Sequence, residues 1–185
     1  MTGVKNQFSC GACWAFAATG AMEAMQSITQ SALQGTFVPP VHLSEQDFLD
    51  CTVNTDENLA RFKRRYNNSG CLGGLMSSAW NFARDWGVMT NADYPYTKTV
   101  GSCLHDNSKI AVKAGIKLNI LPADALQKLK ASPLTIGIAA GPPFRFYRSG
   151  ILTSADLCPD YYLDHAVIIV GYAVEENTII GPPTY

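Results

Sequence analysis

Residues 14–30, WAFAATGAMEAMQSITQ, place apolar or small side chains on nearly every face of a helix. Because a surface helix needs a polar face, this pattern predicts a helix that is mostly buried. The chain has 185 residues, of which 47% are hydrophobic and 16% charged, a composition typical of globular rather than disordered proteins. Its length suits one large domain or two small lobes around one cleft.

The first half of the chain predicts two further helices and a loop. One helix is expected over residues 44–50, where Ser44 and Asp47 form a capping-box-like start. Another is expected over residues 75–86. Residues 52–70 are polar and include RFKRRYNNSG, a composition that predicts a loop.

The second half is predicted to be mostly β-structure. A short amphipathic helix is expected over residues 123–131, and the Ile- and Val-rich segments 134–141 and 165–174 predict buried strands. Helices followed by strands predict an α+β protein with two lobes. We expect a helical lobe over residues 1–105 and a β lobe over residues 106–185.

The overall charge argues against two classes of partner. The 14 Lys and Arg residues against 15 Asp and Glu give a net charge of −1, so no global field draws the chain to nucleic acid or acidic lipid. No apolar run approaches the roughly 20 residues that a membrane helix needs, and the N-terminus lacks the apolar core of a signal peptide. We therefore expect neither a nucleic-acid nor a membrane partner.

Six cysteines bear on the compartment in which the protein works. They are Cys10, Cys13, Cys51, Cys71, Cys103 and Cys158. Spacing alone does not choose their pairing. Structural disulfides in an oxidising compartment are the favoured interpretation, and a set of buried apolar thiols is the alternative. The glycosylation sequon Asn67-Asn68-Ser69 favours the same compartment.

The densest chemical signal is the block Cys10-Gly11-Ala12-Cys13-Trp14, which stands where the first helix begins. A nucleophilic thiol must be ionised, and a free thiol with a pKa of about 8.5 is mostly protonated at neutral pH. A helix N-terminus and a neighbouring imidazolium both favour the thiolate. Two alternatives are a redox pair, which would follow a strand, and a zinc site, which would need a second Cys or His pair. The sequence has neither, so we expect no metal and no cofactor.

His165 is the candidate base. It opens the apolar segment Leu163-Asp164-His165-Ala166-Val167 and lies 152 positions after Cys13. A nucleophile and a base that are distant in sequence can meet where two lobes face each other across a cleft. The alternative is an ordinary packed histidine.

Five blocks in the same order resemble the papain-like (cathepsin-type) cysteine peptidases, in which the pattern C-G-[SA]-C-[WY] surrounds the catalytic cysteine. They are Val4-Lys5-Asn6-Gln7 with SCGACWAF, Leu43-Ser44-Glu45-Gln46 with Asp50-Cys51, Gly70-Cys71-Leu72-Gly73-Gly74, Tyr94-Pro95-Tyr96, and Leu163 to Val167 with Gly171-Tyr172. The resemblance implies a two-lobe fold with a helical left lobe, an incomplete β-barrel as the right lobe, and a cleft between them.

The resemblance also implies residue roles in a cysteine-type endopeptidase. Cys13 would form an acyl-enzyme, His165 would hold the thiolate and protonate the leaving amine, and Gln7 would donate to the oxyanion. Substrate would bind at Gly73, Gly74, Leu75, Met76, Gly137, Asp164 and Ala166. The implied disulfides are Cys10–Cys71 and Cys51–Cys103.

Other expectations follow from the same resemblance. The family continues beyond Gly171-Tyr172 with an Asn that orients the histidine and a Ser-Trp-Gly sequence, and it begins with a pro-segment. We therefore expect a chain truncated at both ends, in which Cys158 lacks its partner, and an inactive homologue that only binds peptide is the alternative function. Phe8 stands where the family normally has Gly. Expected partners are polypeptide substrates and cystatin-type inhibitors, for a monomer in the lysosome or vacuole or outside the cell.

Overall fold

The computed structural model forms two compact units, Met1–Ile120 and Leu121–Tyr185. It describes residues 1–116, 119–152, 162–175 and 178–180. The first unit holds the long helices and the second holds the longest strand pair, which confirms the predicted α+β class. No helix in the described ranges combines the length and apolarity that crossing a bilayer requires.

Helix α1, Cys13–Gln34, is the centre of the first unit. Every residue from 17 to 24 is buried, which confirms the prediction of a mostly buried helix. The helix is longer than the predicted 14–30 and ends at Gly35, whose φ of +66° is the left-handed conformation that closes many helices.

Helices α2, Glu45–Cys51, and α4, Met76–Asp85, pack against α1 and confirm two further predictions. The Ser44 side chain accepts a hydrogen bond from the Asp47 backbone N–H at 3.0 Å, as the predicted cap requires. All seven residues of α2 are buried, so α1 and α2 lie together at the centre of the helical core.

The prediction of a loop throughout residues 52–70 is wrong. Helix α3, Asp56–Phe62, forms there because the Thr55 side chain accepts the Asn58 backbone N–H at 3.1 Å. Only Asn58 and Phe62 of this helix are buried, so it is held by one aromatic anchor rather than by a full apolar face.

The core of the first unit is aromatic and is crosslinked by sulfur. Phe62 and Phe82 meet edge to face with ring centroids 5.1 Å apart, and further rings extend the cluster. The disulfides are Cys10–Cys71 and Cys51–Cys103, the two pairs that the family resemblance implies.

A small sheet joins residues after the expected lobe boundary at 105/106 to the first unit. Strand β1, Val88–Met89, pairs antiparallel with β2, Ile110–Val112. This pairing ties the residues after 105 to the helical core, and the unit ends at Ile120.

The second unit is built on one antiparallel pair, β3, Leu134–Ile138, with β4, His165–Ile169. Both lie inside the predicted strands 134–141 and 165–174, and the second of these is divided between β4 and β5. The remaining elements are α5, Ala125–Leu129, α6, Pro142–Arg145, β5, Ala173–Glu175, and β6, Thr178–Ile180. The described strands of this unit form two-stranded pairs and no closed barrel.

Candidate active site

Cys13 is the first residue of α1 and is half-buried. Among the described cysteines it alone is free, because the other four form disulfides; Cys158 lies outside the described residues. Ala12, at the N-cap position, contributes no side-chain cap to the helix. The thiol therefore stands at the positive end of a 22-residue helix, a position that favours an anion.

Gln7 is fixed by contacts at both its side chain and its backbone. Its Nε2 donates to the Cys10 carbonyl oxygen at 2.9 Å, and its own carbonyl oxygen accepts the Tyr96 hydroxyl at 2.9 Å. A primary amide has two N–H groups, so one orients the Gln7 side chain while the second can serve an oxyanion.

Phe8 follows Gln7 in an unusual conformation. Its φ of +55° is left-handed, which is uncommon for a bulky residue. The Phe8 N–H donates to Asn6 Oδ1 at 2.7 Å. The Phe8 ring is half-exposed, and its centroid lies 3.9 Å from the Lys98 Nζ. The cation over the ring face stabilises the side chain on this side of the turn.

The glycine-rich loop is tied to the turn that precedes Cys13. The Gly11 N–H donates to the Cys71 carbonyl oxygen at 2.9 Å, beside the Cys10–Cys71 disulfide. A Cβ at Gly11 would lie 2.6 Å from that oxygen, so only glycine permits this approach.

Gly74 lies in the same loop and packs against the residue next to the thiol. A Cβ on Gly74 would stand 2.7 Å from Trp14 Cε2 and 2.7 Å from Asn68 Oδ1. Asn68 Oδ1 also accepts the Leu75 N–H at 2.7 Å, which fixes the loop backbone. The structure thus places the loop that carries Gly73 and Gly74 against the start of α1.

The remaining predicted residues of the first unit are Leu75 and Met76. Leu75 is 61% exposed, and Met76 is half-buried at the start of α4. Leu75 is therefore free to contact a bound molecule, whereas Met76 also packs against the core.

His165 is the first residue of β4 and pairs with Ile138 of β3. Burial lowers the pKa of His165 and Arg145 acts in the same direction, whereas the negative charge of Asp164 opposes them. Asp164 accepts the Ala140 N–H at 2.7 Å, and this hydrogen bond holds the Asp164 pKa below its usual value. The pairing of His165 with Cys13 stays a prediction.

The structure also brings the other predicted residues of the second unit together. Gly137 of β3 lies directly opposite Ala166 of β4. A Cβ on Gly137 would come within 3.2 Å of Leu163 Cδ1, so the Leu163 side chain lies beside the space that Gly137 leaves open. Successive side chains of a strand point to opposite faces, so the side chains of Ala166 and His165 lie on opposite faces of the β3–β4 pair.

Comparison with known proteins decides the family. The family model described as papain family cysteine protease matches residues 1–181. The chain belongs to the papain family of cysteine proteases. Digestive cysteine proteinase 3 of Homarus americanus is 36% identical over 182 residues, which are 96% of this chain and 51% of the relative. Cathepsin L of Sarcophaga peregrina is 33% identical over 183 residues, which are 96% of this chain and 48% of the relative.

Solved structures agree with this membership and confirm the papain-like fold. Procathepsin L2 of Tenebrio molitor superposes with a TM-score of 0.78 at 29% identity, over 97% of this chain and 53% of that one. Bromelain of Ananas comosus in complex with E64 gives a TM-score of 0.72 at 30% identity, over 95% of this chain and 73% of that one. The chain spans about half the length of the sequence relatives named above.

One buried cluster of this papain-family chain is absent from the sequence prediction. The Lys5 ammonium lies 2.6 Å from Glu23 Oε1 and 2.5 Å from Glu45 Oε1. A glutamate inside the apolar segment 14–30 is the signal that could have found it, because a buried carboxylate requires a cationic or hydrogen-bonding partner. Within the part of the chain that the structure describes, no three His, Cys, Asp or Glu side chains meet as metal ligands would.

Proposed function

We propose that this protein is a cysteine endopeptidase, which cleaves internal peptide bonds of polypeptides through Cys13 and His165. The observation that carries the proposal is the free thiol of Cys13 at the first residue of α1, inside a match to the papain family that covers residues 1–181. The oriented amide of Gln7 adds a hydrogen-bond donor beside the same turn.

The chemistry assigns a step to each of these groups. The Cys13 thiolate attacks the scissile carbonyl carbon, and the carbonyl π electrons move to its oxygen. That oxyanion accepts hydrogen bonds from the second N–H of Gln7 and from the Cys13 backbone N–H. The His165 imidazolium then protonates the amine as the C–N bond breaks, which leaves an acyl-enzyme.

Water completes the cycle. Neutral His165 removes a proton from water, the oxygen attacks the thioester carbon, and the C–S bond breaks. The products are a carboxylic acid and the regenerated thiolate and imidazolium pair. Burial lowers the pKa of His165, so a neighbouring thiolate would favour the imidazolium against that effect.

Substrate recognition is proposed for the predicted small and apolar residues. Gly73 and Gly74 would present backbone groups to an extended peptide, which the fixed loop supports because the Leu75 N–H is anchored on Asn68. For the side chain two residues before the cut, the family resemblance implies contacts with Leu75 and Met76 and with Gly137 and Ala166. Asp164 is proposed as a further substrate-binding residue.

Partners and location follow from the same proposal. Two disulfides in the first unit favour an oxidising compartment, so we place the protein in a lysosome or vacuole or outside the cell. It would act as a monomer and would be inhibited by proteins of the cystatin type.

The test is hydrolysis of internally quenched peptides that are blocked at both ends, so that only an endopeptidase cuts them. We expect Cys13→Ala to abolish turnover and His165→Asn to abolish most of the turnover. We expect Gln7→Ala to lower kcat by about 10²–10³. His42→Asn is the matched control, because His42 is exposed and stands outside the proposed machinery. Turnover that survives Cys13→Ala, or a folded protein that binds the peptides without cutting them, contradicts the proposal.

A further inference from the structure

The Tyr96 side chain connects the first turns of α1 to the backbone of Gln7. Its hydroxyl donates to the Gln7 carbonyl oxygen at 2.9 Å, across 89 residues of sequence. Its ring meets the Phe16 ring edge to face, with centroids 5.0 Å apart and an interplanar angle of 87°. Phe16 stands three residues after Cys13 on α1, on the same side of the helix. One side chain therefore contacts both the nucleophile helix and the oxyanion donor.

The Gln7 carbonyl oxygen also accepts the Cys10 N–H at 3.4 Å, a longer hydrogen bond than the one from Tyr96. An open cavity of about 310 Å³ borders residues 3–6. Its lining also includes Phe16, Glu45 and Tyr96. Because side-chain packing covers the segment that carries Gln7 only in part, polar contacts hold it in place. Lys5 anchors its middle on Glu45, and Tyr96 anchors its end at Gln7.

The position of the Gln7 backbone decides where its side-chain amide points. One N–H of that amide is already bonded to the Cys10 carbonyl oxygen, so the direction of the second depends on where the Gln7 backbone lies. A displacement of the order of 1 Å can cost about 100-fold in rate, because catalytic hydrogen bonds must meet the reacting atoms in the right geometry.

We propose that Tyr96 is a positioning residue that holds Gln7 in register with Cys13 for oxyanion stabilisation. The proposal rests on the proposed function, in which Gln7 is the oxyanion donor. The proposal gives Tyr96 no contact with substrate or with the reacting atoms. Its role differs from that of Tyr94 in the same block, whose hydroxyl donates to Asp50 at 2.6 Å inside the core.

The Tyr96 hydroxyl stays protonated at acidic and neutral pH. Burial raises the pKa of Tyr96, and the negative charge of Glu45 raises it further. The hydrogen bond to the Gln7 carbonyl therefore persists throughout the acidic and neutral range, and its contribution to kcat does not vary with pH there.

The first test is Tyr96→Phe, which keeps the ring and its contact with Phe16 but removes the hydroxyl. We expect kcat for a blocked peptide to fall about 10-fold, which is less than the loss of about 10²–10³ expected for Gln7→Ala. We expect KM to change by less than about twofold. Alkylation of Cys13 by iodoacetamide forms no oxyanion, so its rate should stay constant. The matched control is Tyr147→Phe, whose hydroxyl donates to Gly150 at 2.7 Å in the second unit.

A double-mutant cycle separates positioning from general destabilisation. If Tyr96 acts through Gln7, Tyr96→Phe should lower kcat by less than about twofold in a Gln7→Ala background. An equal loss in both backgrounds, or no loss in the native background, overturns the proposal.

A spectroscopic measurement keeps this inference separate from the proposed function. The NMR signals of the Gln7 side-chain amide should shift in Tyr96→Phe, whereas those of Gln34, which donates to Gln30 at the last residue of α1, should not. Unchanged Gln7 signals overturn the positioning role whether or not the protein is active. Shifted signals without any hydrolysis support the positioning of Gln7 and contradict the proposed function instead.

Discussion

Replacing Lys5 by Met should strongly destabilise the first unit. The change keeps most of the aliphatic stem and removes an ammonium that lies within 2.6 Å of both Glu23 and Glu45. These two carboxylates are 0% and 2% exposed, so water cannot replace the lost cation. Breaking a buried ion pair costs about 3–5 kcal/mol. Glu23 keeps hydrogen bonds from Leu43 and Thr2, so we expect a loss of about 3 kcal/mol.

Urea unfolding followed by tryptophan fluorescence measures this loss directly. All three tryptophans, at positions 14, 80 and 86, belong to the first unit, so the signal reports that unit alone. With a slope of about 2 kcal/mol per molar urea, the midpoint should fall by about 1.5 M. The control is Lys109→Met, because Lys109 is 51% exposed and 3.7 Å from Asp93, and such pairs are worth about 0–1 kcal/mol. A Lys5→Met midpoint no lower than that of the control would refute the reasoning.

Two further predictions concern packing and pH. Gly11→Ala should cost about 2–4 kcal/mol in the same unfolding assay, because its Cβ would overlap the Cys71 carbonyl oxygen and disturb its hydrogen bond. Gly3→Ala, which meets nothing within 4 Å, should stay within about 0.5 kcal/mol of the native chain. Burial, with a hydrogen bond to Asp85, raises the pKa of Tyr66 from 10.0 to about 12. Stability that is fully present below pH 10 should therefore fall as pH rises from about 10 to about 12, and Tyr66→Phe should flatten that part of the urea-stability profile; an identical profile in the variant contradicts this assignment.

Local patterns in the sequence predicted four of the six described helices and the strand pair β3–β4, but not α3, α6, β1, β2 or β6. The apolar run of α1 and the Ser44 cap of α2 act within a few residues, so they can be read without a structure. Helix α3 was missed because only Asn58 and Phe62 are buried in it, which is too few for a periodic apolar pattern. The local signals present were its cap, Thr55, and the acidic first turn, Asp56 and Glu57.

The site divides in the same way between local and distant contacts. Cys13, Gln7 and the glycine loop were predicted from short motifs. Lys5 meets Glu45 across 40 residues and Tyr96 meets Gln7 across 89, and no local pattern specifies which partners such long-range contacts join. The supporting contacts therefore emerged only from the structure, although the groups they support were predicted.

The most direct measurement is mass-spectrometric mapping of the adduct that a peptide epoxide forms with the folded protein. If a thiolate at the start of α1 is paired with an imidazole from β4, one adduct should form at Cys13, and His165→Asn should slow its formation by at least about 10-fold. A folded protein that forms no adduct at Cys13, or one whose labelling rate is indifferent to His165→Asn, would contradict the account.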